Sequence, residues 1–225
     1  MGSRRKCEEL ILQGRISINK TPIHELHTVV LEGDEVRFDG AVIKPEEIVY
    51  IVYNKPAGVV TTLSDPENRR HIGQVFSEMP FIKPVGRLDL DSTGVLLLTN
   101  DGELTYRLTH PKYQIRKSYR AQLDEKVRDD LRSLTRGGVQ LDDGKLAHCK
   151  IVNVYEVDGK ANVILELREG MNREVRRIFE VLGYRVRKLD RIEFAGIGYY
   201  GLPRGKWRYL TAEEVIKLRK MCGLL

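Results

Sequence analysis

Two segments of the chain are apolar at consecutive positions rather than at alternate ones. Ile48 to Tyr53 is an unbroken apolar run ending at Asn54-Lys55-Pro56-Ala57-Gly58, and Val95-Leu96-Leu97-Leu98 is a second. A strand wetted on one face alternates, so such runs predict buried strands, the first leading into a tight turn. Between them lie a polar loop at residues 63 to 71 and the segment Gly86-Arg87-Leu88-Asp89-Leu90-Asp91-Ser92-Thr93-Gly94, which opens directly into the second run. Polar chain is thereby pinned between two buried elements.

The remaining pattern completes an α+β reading. Strand-like segments recur at Ser118 to Leu123, Ala147 to Val157 and Ala161 to Leu167, with a helix expected at Glu125 to Thr135. In the helix expected from Arg173 to Leu182, capped by Asn172, Val175, Ile178, Phe179 and Leu182 form one apolar stripe, and Arg173, Arg176 and Arg177 occupy the other faces. A last helix is read at Ala212 to Met221. Without strict βαβ alternation, these elements predict a mixed, largely antiparallel sheet with helices. Ahead of them is a small α/β unit. Ser3 caps a short helix, Gly14 stops it, Arg15 to Ile18 reads as a strand, and Val29-Val30-Leu31 and Val36-Arg37-Phe38 continue the β pattern. The polar link Pro45-Glu46-Glu47 divides the chain into residues 1–46 and 47–225.

Composition removes several classes of function. The chain has 225 residues, 41% of them hydrophobic, which is enough for a core. Cys7, Cys149 and Cys222 are too few and too scattered for a disulfide framework, and none stands in a C-x-x-C pair. No apolar stretch approaches the ~18 residues that cross a bilayer, and Lys6 breaks the myristoylation pattern begun by Met1-Gly2. A cytoplasmic protein away from membranes, and a monomer, is expected. There is no Rossmann fingerprint, Walker loop or metal-ligand cluster, and the five histidines are dispersed. Chemistry without a metal or small-molecule cofactor is the expectation.

The net charge of +6 is unevenly spread. Between Arg168 and Arg191 eight basic residues face four acids, and Arg4, Arg5 and Lys6 fill the first turn of the N-terminal helix. Cations there oppose the helix dipole at ~0.3–1 kcal/mol each, as does Arg173 at the start of its helix. A phosphate at such a site reverses the sign, so two sites point toward nucleic acid. A solvated basic face is the competing explanation for either one alone.

Asp89 lies two residues from both Arg87 and Asp91, so in an extended segment the three side chains share one face. A carboxylate beside a guanidinium stays ionised and can act as a nucleophile. For a bare Arg-x-Asp, a loop-capping ion pair is the commoner explanation, and the spacing also admits Asp89 and Asp91 as a glycosidase acid/base pair. The wider set of motifs bears on the choice. Asn54-Lys55-Pro56-x-Gly58, Gly86-Arg87-Leu88-Asp89-x-Asp91-Ser92-x-Gly94, Leu96-Leu97-Leu98-Thr99-Asn100-Asp101-Gly102, Lys117-Ser118-Tyr119 and Glu169-Gly170-x-Asn172-Arg173-Glu174-Val175-Arg176-Arg177 occur in order. Together with Lys188-Leu189-Asp190-Arg191 and the tail around Trp207, this resembles the RsuA/RluB/RluE/RluF family of ribosomal RNA pseudouridine synthases over residues ~50 to 215. Residues 3 to 19 are similar to the S4 RNA-binding domain that precedes this fold, without its first helix. Met171 departs from the Lys or Arg common at that position, which removes a phosphate contact.

The resemblance implies isomerisation of a uridine in structured ribosomal RNA to pseudouridine. The N-glycosidic bond breaks, the uracil turns, and C5 rejoins the ribose at C1′. It implies Asp89 as the catalytic carboxylate, acting on the sugar or on a ribose proton, with Arg176 pairing and orienting it. Tyr119 is then the residue that stacks on the uracil or helps to move the C5 proton. Leu165 or Leu167 walls the base, and Lys55, Arg87, Arg173 and Arg177 bind the substrate. The target must leave its stack at a cost of a few kcal/mol, least in a loop or bulge, and phosphate contacts from Arg4, Arg5, Lys6, Arg69 and Arg70 are the expected offset.

Overall fold

A computed structural model describes residues 4–225, which form two compact units dividing between Glu47 and Ile48. Ser3, expected to cap the first helix, lies outside the described residues. In the first unit, α1 (Arg4–Leu12) is followed by β1 (Ile16–Ile18), β2 (Thr21–Pro22), β3 (Val36–Phe38) and β4 (Ala41–Val42), an antiparallel sheet in the order β2-β1-β3-β4. Asn19 and Lys20, with φ of 49° and 72°, make the tight turn joining β1 to β2. Leu10 and Ile16 are buried between helix and sheet. Val29-Val30-Leu31 is not a strand as expected but exposed coil. The Asp34 carboxylate accepts from Leu31 N at 2.8 Å and Asp34 N donates to Leu31 O at 3.1 Å, a turn that takes this segment off the ladder.

The second unit begins with β5 (Tyr50–Lys55), α2 (Ile72–Val75), β6 (Lys83–Pro84), β7 (Thr93–Thr99) and α3 (Gly102–Thr109). After a 3₁₀ turn at Pro111–Tyr113 come β8 (Lys117–Leu123), α4 (Leu131–Leu134) and a small hairpin of β9 (Val139–Gln140) and β10 (Leu146–Ala147). The chain ends with β11 (Cys149–Val157), β12 (Lys160–Leu167), α5 (Glu174–Val181), β13 (Val186–Phe194), β14 (Ile197–Gly198), β15 (Trp207–Tyr209) and α6 (Ala212–Met221). The main sheet runs β11-β12-β8-β13-β7-β5-β15, antiparallel except where β13 lies parallel to β7. This is the mixed, largely antiparallel α+β architecture the patterning predicts.

Both faces of β7 are covered, which is why its apolar run is continuous. Val95 and Leu97 pack with Leu104 and Leu108 of α3 and Leu218 of α6, whereas Leu96 and Leu98 pack with Ile72 and Phe76 on the other side. A third core sets Val175, Ile178 and Phe179 of α5 against Leu123, Leu165 and Leu189. The helix expected at Glu125 to Thr135 shrinks to α4. Val127 is the one apolar residue between Glu125 and Asp130, too little for a stripe, and Arg128 N instead donates to the Tyr184 hydroxyl at 3.0 Å. The cap of α5 is Arg173 rather than Asn172, with φ of 49°. Among the described residues no helix is long and apolar enough to cross a membrane.

Candidate active site

The Gly86–Gly94 segment crosses from β6 to β7 and is fixed almost wholly through its backbone. Lys55, at the end of β5 and fully buried, donates from Nζ to the carbonyl oxygens of Ser92 at 2.9 Å, Asp89 at 3.0 Å, Pro56 at 3.2 Å and Leu90 at 3.4 Å. Thr61 Oγ1 donates to Leu88 O at 2.7 Å, and Gly58 N to Leu90 O at 2.8 Å. Burial pushes the Lys55 ammonium down to about 8, a shift partly countered by Asp91 and Asp89. Lys55 was expected to bind substrate, but it is buried outside the cleft lining with its donors spent on backbone carbonyls. At Gly94, where φ is +104°, an added Cβ would stand 2.2 Å from Arg191 O, so only glycine permits the close parallel approach of β7 and β13.

The loop is extended only as far as Asp89. Ser92 N closes a turn on Asp89 O at 3.2 Å, and Asp91 leaves the face that Arg87 and Asp89 share. Its carboxylate receives Arg176 Nη2 at 2.7 Å, while Arg176 Nη1 donates to Val186 O at 2.8 Å. This corrects two expectations. Arg176 pairs with Asp91 rather than with Asp89, and Asp89 and Asp91 do not face one cleft as an acid/base pair.

Asp89 lines a cleft of about 310 Å³ between its loop, the sheet and the start of α5. Apolar walls come from Val85, Leu88, Leu167, Val175, Leu189 and Phe194, and Tyr119 lies among them with its ring half-buried. The Asp89 carboxylate makes no hydrogen bond or ion pair among the described residues. Arg87 and Arg173 are exposed cleft residues, also without ion pairs there. Leu165, expected beside Leu167, is cross-strand from Tyr119 but fully buried in the core behind the cleft. Arg177 is turned away, paired with Asp142 and, at 2.7 Å, with Asp143. Arg69 is held by Asp65 at 2.7 Å and Glu67 at 2.9 Å, whereas Arg70 is exposed without an ion pair. In the first unit Arg4 pairs with Glu8 and Lys6 with Glu9, both at 2.9 Å.

Sequence reasoning missed the polar part of the cleft. Lys117 Nζ donates to Glu169 O at 2.8 Å, and burial, then repulsion from Arg191, pushes it down to about 8. Arg191 donates from Nε to Val95 O at 2.7 Å, its guanidinium stacks 4.8 Å from the Phe194 ring centroid, and Nη2 is buried without a partner. Glu174 accepts Met171 N at 3.0 Å through Oε2, its Oε1 is buried and unpaired, and burial raises it to about 7. Lys117 was legible as the residue two before Tyr119, on the same strand face. Arg191 was not, because it reaches the cleft only through its register opposite Tyr119. Among the described residues no His, Cys, Asp and Glu group is placed to hold a metal ion.

A carboxylate left free beside an aromatic residue, in a cleft with unpaired cations, suits a flat base carried on a phosphate chain. Comparison with known proteins agrees. Residues 49–181 match the family model described as RNA pseudouridylate synthase, and residues 1–36 match the S4 domain. The chain belongs to the RNA pseudouridylate synthase family. It is 40% identical to the ribosomal large subunit pseudouridine synthase B of Bacillus subtilis, over 98% of this chain and 92% of that one. An uncharacterized RNA pseudouridine synthase of Aquifex aeolicus is 38% identical over 100% of this chain and 91% of its own. A crystal structure of a pseudouridylate synthase superposes with a TM-score of 0.70 at 29% identity, covering 96% of this chain and 94% of that one. The protein is thus an RNA pseudouridine synthase with an S4 domain at its N-terminus.

Proposed function

We propose that this synthase isomerises a uridine of ribosomal RNA in the Asp89 cleft, with the nucleotide turned out of its stack and with no cofactor. The name of the Bacillus subtilis relative supports ribosomal RNA of the large subunit as the substrate. The observation that carries the reading is the Asp89 carboxylate itself. It is left unpartnered in the cleft while its backbone is pinned by the buried Lys55. A reacting group needs this combination of fixed position and free oxygen atoms.

In this reading Asp89 acts on the ribose as the N1–C1′ bond breaks and its electron pair leaves with the uracil. Tyr119 and Leu167 hold the base while it rotates, C5 bonds to C1′, the C5 proton departs and N1 regains one. Arg87 and Arg173 meet the phosphates beside the flipped nucleotide, and Arg4, Arg5, Lys6 and Arg70 meet others. Arg176 acts through Asp91, holding the turn that follows the reacting residue. The test is tritium release from large-subunit ribosomal RNA transcribed with 5-tritiated uridine. Wild-type protein releases tritium and yields pseudouridine on digestion, while Asp89→Asn binds the RNA and releases none. Release at the wild-type rate from the variant would remove Asp89 from the chemistry.

A further inference from the structure

A second cleft, of about 430 Å³, adjoins the first across one stretch of chain. Glu169 and Arg168 line it, while Gly170 to Glu174 line the Asp89 cleft, so the two depressions flank the same loop. Its cations come from three separate elements. Arg136 follows α4, Lys150 lies on the edge strand β11, and Arg168 follows β12. His148 adds a further polar ring beside them.

These three cations are exposed, and none makes an ion pair or a hydrogen bond among the described residues. Their neighbours behave differently. Arg116 is held by Glu166 at 3.2 Å and Glu193 at 2.7 Å, Arg132 donates to Val152 O at 3.1 Å, and Arg177 is closed by Asp142 and Asp143. Of the two acids in the second cleft, Glu166 shares Arg116 with Glu193, so two carboxylates, one of them partly engaged, stand against three unpaired cations. Bringing three like charges to one concavity opposes folding slightly, and their convergence is favourable only with an anion between them. Guanidinium and ammonium groups at several points along a groove match a chain of phosphates better than a single ion.

We infer that this second cleft holds the phosphate backbone of the RNA strand flanking the target nucleotide, which passes over the Arg168–Arg173 loop from one depression to the other. The inference rests on the first cleft being where the uridine enters. The cleft contributes affinity and register, not chemistry, since it carries no group that reaches the reacting base. An RNA strand is favoured over an acidic protein segment because continuity with the uridine cleft supplies the occupant.

The test uses the full chain with Arg136→Ala, Lys150→Ala and Arg168→Ala combined. All three side chains are exposed and unpaired, so the fold should survive, which circular dichroism checks. Binding to large-subunit ribosomal RNA transcribed in vitro is measured over a range of salt concentrations, in the Asp89→Asn background so that binding is read without turnover. The dependence of log affinity on log salt should become shallower by about 2 units, since each phosphate neutralised by a side chain accounts for roughly 0.7–0.9. Affinity at low salt should drop at least about tenfold. An unchanged slope and affinity would overturn the inference, and the cleft would then be open to a protein partner instead. A protein that binds RNA with the predicted slope change yet makes no pseudouridine would sink the proposed reaction while leaving this surface standing.

Discussion

The ammonium of Lys55 has no contact with solvent, yet carbonyl oxygens of Pro56, Asp89, Leu90 and Ser92 surround it. A buried cation is costly alone and tolerable among acceptors, and here three of the four acceptors belong to the loop that carries Asp89. Lys55→Met keeps the aliphatic stem and strands those carbonyls. The expected loss is about 1–3 kcal/mol of stability, the usual cost of leaving buried polar groups unmade, read by denaturant unfolding. Turnover should fall through kcat with KM nearly unchanged, because the ammonium never meets RNA and its loss displaces Asp89. A rise in KM alone would make Lys55 a substrate ligand after all. At this scale the sequence, through its family resemblance, singled out Asp89, whose side chain lines the cleft. It did not show that Arg176 belongs to Asp91, since that pairing depends on a turn at Leu90-Asp91 and on the packing of a distant helix.

At the scale of elements, α5 brings chemistry and strain together at its first turn. Arg173 adopts a left-handed backbone as its cap, and Glu174 reaches back to Met171 N to hold the loop in that shape. Burial raises the Glu174 carboxyl from the usual range to about 7. The folded protein therefore keeps a proton that the unfolded chain releases, so the contribution of this group to stability is full below pH ~4.5 and declines as pH rises to about 7. The shift corresponds to about 3 kcal/mol at most. Glu174→Gln keeps an acceptor for Met171 N and cannot ionise. Its unfolding free energy should match wild type near pH 4.5 and exceed it above pH 7; parallel curves would show that the carboxyl is not held neutral. Helix α5 and the buried strands were legible because their apolar spacing fits one geometry alone. The helix expected at Glu125 to Thr135 was not, since the acid-rich stretch there has no stripe to bury and its backbone bonds elsewhere. Val29 to Leu31 misled for the opposite reason, being apolar by composition yet drawn into a turn by Asp34.

For the whole molecule, charge matters as a distribution rather than as a sum. A net of +6 is modest, but Arg87 and Arg173 in one cleft and Arg136, Lys150 and Arg168 in the adjoining one make no ion pair among the described residues. In the first unit Arg4 and Lys6 are partly satisfied by Glu8 and Glu9, while Arg5 forms no ion pair among the described residues. All three oppose the dipole of α1, so the helix gains nothing from them beyond those exposed pairs, which are worth little. If phosphates are the reason for their presence, Arg4→Ala, Arg5→Ala and Lys6→Ala together should leave the unfolding free energy within about 0.5 kcal/mol of wild type. RNA affinity should fall, and its salt slope should become shallower by roughly 0.7–0.9 for each phosphate no longer neutralised. Arg5→Ala alone should account for the largest share, because its guanidinium has no internal carboxylate to leave. Turnover on saturating RNA should not change, since nothing in α1 belongs to the Asp89 cleft. Should the slope of the triple variant equal that of wild type, these cations face solvent rather than phosphate, and RNA recognition by the N-terminal unit must use other residues.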